Sequence, residues 1–231
     1  GSERQTVLSA GNATIDAGAG NDFIRNNGSD SKIFGGAGND KIYNTGSSVT
    51  IQGDAGNDFI SNSGAEVTIS GGAGNDTIAT TGKGVTISGG KGNDTISLGG
   101  GENLIQYGAG DGKDVIYGFD RYSSLEITSG EISRSVQSGA NAVIYIGKGN
   151  SSAITFKNTA LADFVVRDNL LTSTAGIVPV SLTNRADRYS NADDNATIFA
   201  QGGNDTIYNS GDKVYISGDA GHDRISLGGG A

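Results

Sequence analysis

The chain has 231 residues, 40 of them glycine and one proline, no cysteine, and a formal net charge of −9. That acidity argues against nucleic acid and anionic membrane surfaces as partners, and without cysteine neither disulfides nor thiol chemistry apply. No apolar run is long enough to insert in a membrane, and the glycines follow no G-X-Y period, so collagen is excluded.

Gly1-Ser2 reads as a cloning remnant outside the fold. The first domain, 1–105, is dominated by a nine-residue repeat in two alternating flavours, so the true period is eighteen residues. Isoleucine recurs at one position of every unit: Ile15, Ile24, Ile33, Ile42, Ile51, Ile60, Ile69, Ile78, Ile87, Ile96 and Ile105. Two residues earlier the column reads Asp22, Ser31, Asp40, Val49, Asp58, Val67, Asp76, Val85, Asp94, Asn103. Aspartate therefore returns every eighteen residues, with a non-acidic residue halfway between.

The aspartate-bearing units fit the pattern G-G-x-G-x-D-x-U-x, and on these residues the chain resembles the RTX (repeats-in-toxin) calcium-binding proteins. The resemblance covers roughly residues 12–119 and 187–227. It implies an all-β fold: a parallel β-roll, or β-solenoid, followed by an irregular β cap and the start of a second roll. The unit itself supports this. Its glycine half allows tight turns, and its Thr-Ile-Ser or Val-Thr-Ile half favours a strand. Alternating faces send isoleucine inward, so two units make one coil and stacked coils make two facing parallel sheets. One sheet should carry Ile24 to Ile96, the other Ile15 to Ile105. About one isoleucine per nine residues is a thin core, and something besides apolar burial must hold it.

The resemblance also says where calcium would go. Ions lie between consecutive loops of the same edge, held by carboxylates and backbone carbonyls, the oxygen ligands calcium prefers. The implied set is Asp22, Asp40, Asp58, Asp76 and Asp94, with loop glycines Gly18, Gly20, Gly36, Gly38, Gly53, Gly56, Gly71, Gly74, Gly89 and Gly92. Five aspartates define about four ions in the first roll. The opposite edge should hold no metal, a departure from the two-sided RTX pattern, because Val49, Val67 and Val85 stand inward where aspartate would be. Asn26, Asn44, Asn62 and the glycines Gly28, Gly46, Gly64 and Gly82 shape its turns instead.

Residues 106–173 form a terminating segment and cap. At position 112, where the period calls for aspartate, stands Gly112, and an insertion breaks the repeat. The stretch Gly110-Asp-Gly-Lys-Asp114-Val-Ile-Tyr-Gly-Phe119 resembles the segment that ends RTX rolls. It makes Asp114, with Asp111 and Asp120, further calcium candidates, against the plainer reading of a solvated turn. Strands are expected at 124–128, 142–146 and 153–157 from apolar alternation, with a turn at 147–150 and a short helix or strand within 161–171. Residues 174–184, with Pro179, read as a connector. The second roll, 185–231, is truncated: Asp187, Asp205 and Asp223 would define two more ions, with Ile198, Ile207, Ile216 and Ile225 in the core column. The chain stops where another terminating segment should begin, which reads as a piece of a longer tandem protein.

No catalytic constellation is present. The one histidine, His222, replaces asparagine in a GDAGHD loop, and the glycine motifs lack the pattern of a dinucleotide site. The expected function is thus not enzymatic. The resemblance implies a structural or adhesive calcium module of a secreted or cell-surface bacterial protein, folding when it meets calcium outside the cell. Two alternatives stand beside it. One is the accessory roll of a secreted protease, lipase or polysaccharide epimerase; the other is an ice-binding module. A polysaccharide ligand needs an outward aromatic or basic strip, and Phe23, Lys41 and Phe59 fade to Thr77 and Thr95. An ice ligand needs paired threonine and asparagine columns. Asn21, Asn39, Asn57, Asn75 and Asn93 form one column, but alanine or lysine fills the threonine column beside it, and Thr50, Thr68 and Thr86 lie on the other sheet.

Overall fold

The structure, a computed structural model, describes residues 6–9, 11–99, 101–120, 122–147, 151–159, 164–167, 170–173, 180–181, 186, 188–191, 197–200, 202–209, 214–218 and 220–227. By compactness the chain divides into two units, Gly1–Ser173 and Thr174–Ala231. All described regular structure is β, and no helix among the described residues is long and apolar enough to cross a membrane.

The first unit is a parallel β-solenoid with eighteen-residue coils. One sheet stacks the short strands that follow each aspartate: Phe23–Asn26, Lys41–Asn44, Phe59–Asn62, Thr77–Thr80 and Thr95–Leu98. The other stacks Thr14–Asp16, Lys32–Ala37, Thr50–Ala55, Thr68–Ala73, Thr86–Lys91 and Leu104–Gly108. Every pairing is parallel, and isoleucine faces isoleucine: Ile24, Ile42, Ile60, Ile78 and Ile96 in the first sheet, Ile15, Ile33, Ile51, Ile69, Ile87 and Ile105 in the second. All are buried. The division of the isoleucines between two sheets is the one the period predicts. It follows from strand geometry, since each unit turns the chain over and presents the same residue to the interior.

Both isoleucine columns run beyond the repeat. Ile96 pairs with Ile116 across a step of twenty residues, and Ile105 pairs with Leu125. The two extra residues are taken up in the turn before strand Lys113–Tyr117, and the stack continues without a break. Parallel pairing then gives way to antiparallel. Strand Ser152–Phe156 adds to Lys113–Tyr117 in parallel, and Asn141–Ile146 and Ile132–Ser138 follow it antiparallel. On the other sheet Ser124–Ser129 is followed by the antiparallel strands Leu170–Ser173 and Phe164–Arg167, so the described residues of the segment expected to be helix or strand are strand. Ile132–Ser138 has no counterpart in the sequence reading. Its residues are almost all exposed, so its sequence shows no buried alternation, and its strand pairing is with Asn141–Ile146. Phe119 and Phe156 meet edge to face at 4.8 Å, and the buried core continues past them to Ala142, Ile144 and Ile146.

The second unit contains two three-stranded parallel sheets at the same eighteen-residue offset, with Ile198 against Ile216 and Ile207 against Ile225. Ile198, Ala200 and Ile207 are buried, with Val214 and Ile216 packed on them. Ile225 lies in the outermost strand of its sheet and is 42% exposed. The expected turn at 147–150 and the connector around Pro179 fall largely outside the described residues.

Candidate metal centre

The aspartates stand in file along one edge, at the start of each short strand. Asp22, Asp40, Asp58, Asp76 and Asp94 are buried. Each carboxylate reaches back to the coil before it. Asp40 Oδ1 accepts a hydrogen bond from the Asp22 backbone N–H at 2.7 Å, and Asp58, Asp76 and Asp94 repeat the contact with Asp40, Asp58 and Asp76 at 2.7 Å. The file does not end at Asp94. Asp114 Oδ1 accepts from the Asp94 N–H at 2.9 Å, and Asp114 is as buried as the others. The period does break near 112, as expected, but the insertion shifts the aspartate by two residues along the chain and not in space. The signal was present in the sequence, because Asp94-Thr-Ile96 recurs as Asp114-Val-Ile116.

Of the two other candidates nearby, neither carboxylate enters the chain of aspartate-to-backbone bonds. Asp111 Oδ2 accepts from the Gly108 N–H at 2.7 Å within its own turn. Asp120 Oδ1 accepts from the Tyr122 N–H and the Ser123 hydroxyl, the turn role of the plainer reading. In the second unit Asp223 Oδ1 accepts from the Asp205 N–H at 2.9 Å. Asp187 lies outside the described residues.

The second carboxylate oxygen carries the chemical information. Oδ2 of Asp40, Asp58, Asp76 and Asp94 is buried and accepts no hydrogen bond. An ionised oxygen in that position is costly unless a cation or donor meets it. Beside it is a space that only glycine leaves. A Cβ on Gly35 would stand 2.6 Å from Asp40 Oδ2 and 2.8 Å from the Gly53 carbonyl oxygen. A Cβ on Gly53 would stand 2.5 Å from both Asp58 Oδ2 and the Gly71 carbonyl oxygen. Gly71 repeats the arrangement with Asp76 Oδ2 and the Gly89 carbonyl, while a Cβ on Gly89 would meet the Asp94 carboxylate alone. At Asp40, Asp58 and Asp76 a buried carboxylate oxygen thus comes together with a glycine carbonyl of the next coil. Among the described residues no three Asp, Glu, His or Cys side chains converge, so an ion here would take most of its ligands from the backbone. Calcium accepts that mixture of oxygens, and the residues fit it.

The glycines expected around the ions fall into three columns. Gly53, Gly71 and Gly89 belong with Gly35 beside Oδ2. Gly18 and Gly36 belong to the next column, in register with Asp54, Gly72 and Gly90. Gly20, Gly38, Gly56, Gly74 and Gly92 form a third column, where a Cβ would strike the carbonyl of the preceding coil, as at Gly38 against Gly20. These last glycines are required by the closeness of the coils, with φ of +133° at Gly38 and Gly56.

Burial and neighbouring charge act on the file together. Burial pushes the Asp58 carboxyl up to about 7, against the donated Asp40 N–H, and Asp76, Asp40 and Asp54 push it further in the same direction. Asp94 is raised to about 6 and Asp114 to about 8, in both cases mainly by burial. Asp40 and Asp76 move the same way for the same reason. Without a cation, burial makes the ionised form of these carboxyls costlier than it is in water. A divalent ion between coils relieves both burdens.

The opposite edge is built differently. Val49, Val67 and Val85 are buried at the equivalent position. Ser31 and Asn103 flank them in the same column, Ser31 Oγ accepting from the Ala13 N–H and Asn103 Oδ1 from the Val85 N–H. Where the short strands end, a buried asparagine ladder runs from coil to coil. Asn26 Nδ2 donates to Asn44 Oδ1 and Asn44 Nδ2 to Asn62 Oδ1, both at 2.7 Å, and Asn62 Nδ2 donates to Thr80 Oγ1 at 3.0 Å. Each asparagine also holds its own turn, donating to the carbonyl two residues on and accepting from the same residue's N–H, as Asn44 does with Gly46. The turn role expected of Asn26, Asn44 and Asn62 is what these bonds show. The exposed asparagine column is also used by the stack: Asn21 Oδ1 accepts from the Asn39 N–H at 2.7 Å, and Asn39, Asn57 and Asn75 continue the series. His222 is exposed, and its N–H donates to Asn204 Oδ1 in the matching place.

A family model of the RTX calcium-binding nonapeptide repeat matches residues 9–42, 27–48, 34–64, 70–105, 86–113, 192–208 and 210–231. No curated relative matches the chain. The matches lie on the coils that carry the aspartate file and together span more than half of the sequence. Calcium is the ion that this repeat binds, and its roll is a structural module. The chain belongs to the family of proteins built from RTX calcium-binding nonapeptide repeats.

Proposed function

We propose that the chain is a calcium-dependent structural module of a secreted or cell-surface bacterial protein, with calcium ions stacked along the aspartate edge only. The buried, partnerless Oδ2 atoms of Asp40, Asp58, Asp76 and Asp94 carry this reading. Five intervals of the first unit would hold ions: Asp22–Asp40, Asp40–Asp58, Asp58–Asp76, Asp76–Asp94 and Asp94–Asp114. That is one more than the sequence count, because Asp114 joins the file. In the second unit Asp205–Asp223 forms an interval of the same kind, and Asp187 would add another. On this reading 1–105 is the roll proper, 106–173 its terminating cap, 174–184 a connector and 185–231 the next roll. The sites bind weakly enough to stay empty inside a cell and fill outside it, since extracellular calcium modules work near ~10⁻⁴–10⁻³ M. Metal binding is then folding free energy, and the chain acquires its stiffness after export. Proteins of this family are typically secreted.

Far-UV circular dichroism during a calcium titration, with magnesium as control, tests the proposal. The expected result is a cooperative gain of β signal with calcium alone. A β-rich spectrum in chelator that ignores calcium would overturn it. Calorimetric stoichiometry on the same chain checks the ion count.

A further inference from the structure

A groove of about 580 Å³ runs along the first unit on the outer face of the short-strand sheet, at the edge carrying the asparagine ladder. Its floor is one side-chain column, Tyr43, Ser61, Ala79 and Ser97, placed on successive coils by the parallel register. Four coil spacings from Arg25, which heads the same column, to Ser97 make it roughly 19 Å long at the strand spacing. The floor is low because the residues after Tyr43 are small. Its outer rim is Thr45, Ser63 and Thr81. At the Arg25 end Tyr43 is gathered with two further rings, at 5.4 Å from Phe23 and 5.7 Å from Phe59. The aromatic strip that the column Phe23, Lys41, Phe59 lacks is thus completed by Tyr43 from the neighbouring column.

We propose that this groove binds an extended, uncharged glycan, with Tyr43 as the stacking platform and the serine and threonine hydroxyls as hydrogen-bonding partners along the chain. Three features select that ligand class. No carboxylate lines the groove, although the chain has 25 acidic residues, and Arg25 at one end is its only charge. A polyphosphate would meet one cation and a net charge of −9. An extended peptide usually adds to a sheet edge, but here the backbone groups of the sheet are already paired from coil to coil. A ligand must therefore be recognised by side chains, and rings and hydroxyls at coil spacing suit a chain of hydroxylated rings. The groove needs the folded roll, and so rests on the calcium reading above.

The test is calorimetric titration of the calcium-loaded chain with neutral hexasaccharides of gluco, manno and galacto configuration, and with a thymidine hexanucleotide. Circular dichroism at the same calcium concentration reports the fold separately, so loss of the roll and loss of the groove are distinguished. Binding of at least one hexasaccharide is expected. Tyr43→Ala should weaken it about five- to tenfold, and Ala79→Arg should abolish it by filling the floor. The latter variant should fold, since Arg25 occupies the same column. Thr68→Arg, on the other sheet, should leave binding unchanged. No binding of any hexasaccharide at millimolar concentration, binding that survives Ala79→Arg, or binding of the oligonucleotide instead would overturn the proposal.

Discussion

The two edges of the first unit close the same coil by different chemistry. On one, aspartate turns inward, gives one oxygen to the coil before it and leaves the other buried without a partner. On the other, valine fills the interior, and the asparagines Asn26, Asn44 and Asn62 satisfy both their turns and their neighbours. The asparagine edge finds its partners among protein atoms, whereas the aspartate edge leaves buried carboxylate oxygens that, on the proposed reading, a cation completes. A solenoid with one self-sufficient edge and one conditional edge can be switched by an ion without needing a metal at every turn.

That contrast can be broken from either side. The largest effect is expected for Asp58→Ala, which removes a carboxylate bordering two intervals. Calcium affinity there should fall by more than the ~10–100-fold typical of losing a group outside the ligand shell, and calorimetry should count two fewer ions. An unchanged count would remove Asp58 from the file. Val67→Asp places an unpaired carboxylate in the interior of the other edge. It should cost about 3–5 kcal/mol, as a stranded buried charge does, read as a lower denaturation midpoint in calcium. If the variant is as stable as its parent, the valine edge is not the closed edge described here.

Asn44→Ala should cost less, about 1–3 kcal/mol for the buried groups it leaves unsatisfied. Its diagnostic feature is that the loss should be similar at low and saturating calcium, since the ladder involves no ion. A calcium-dependent loss would show that the edges are not separate. The smallest effect is the pH response in chelator. Folding raises the carboxyls of Asp94, Asp58 and Asp114 to about 6, 7 and 8, above the ordinary ~3.9 of an unfolded aspartate. Between these values the folded chain holds more protons than the unfolded chain. Metal-free stability should therefore be greatest near pH 4 and decline as the pH rises toward 8. The β signal in chelator across that range checks it: it should be least near pH 8 and grow toward pH 4, and a signal that rises with pH would contradict the buried file.

The eighteen-residue period by itself determined the coil, the two isoleucine columns and the alternation of aspartate with valine. In a solenoid each residue's neighbours are its counterparts one coil away, so contact is written as sequence spacing. Where the spacing changes, that shortcut fails. The place of Asp114 in the file depended on a two-residue bulge in a turn, and pairing of Ile96 with Ile116, a tertiary contact, decided it. Strand Ile132–Ser138 was equally hidden, because antiparallel pairing and not burial defines it. The joining of Tyr43 to Phe23 and Phe59, and the groove beside them, required the outer faces of separate coils to be brought side by side. The period sets the outward columns one by one, but the packing of Tyr43 against Phe23 and Phe59 runs between columns, where side-chain conformation in the stacked structure decided it.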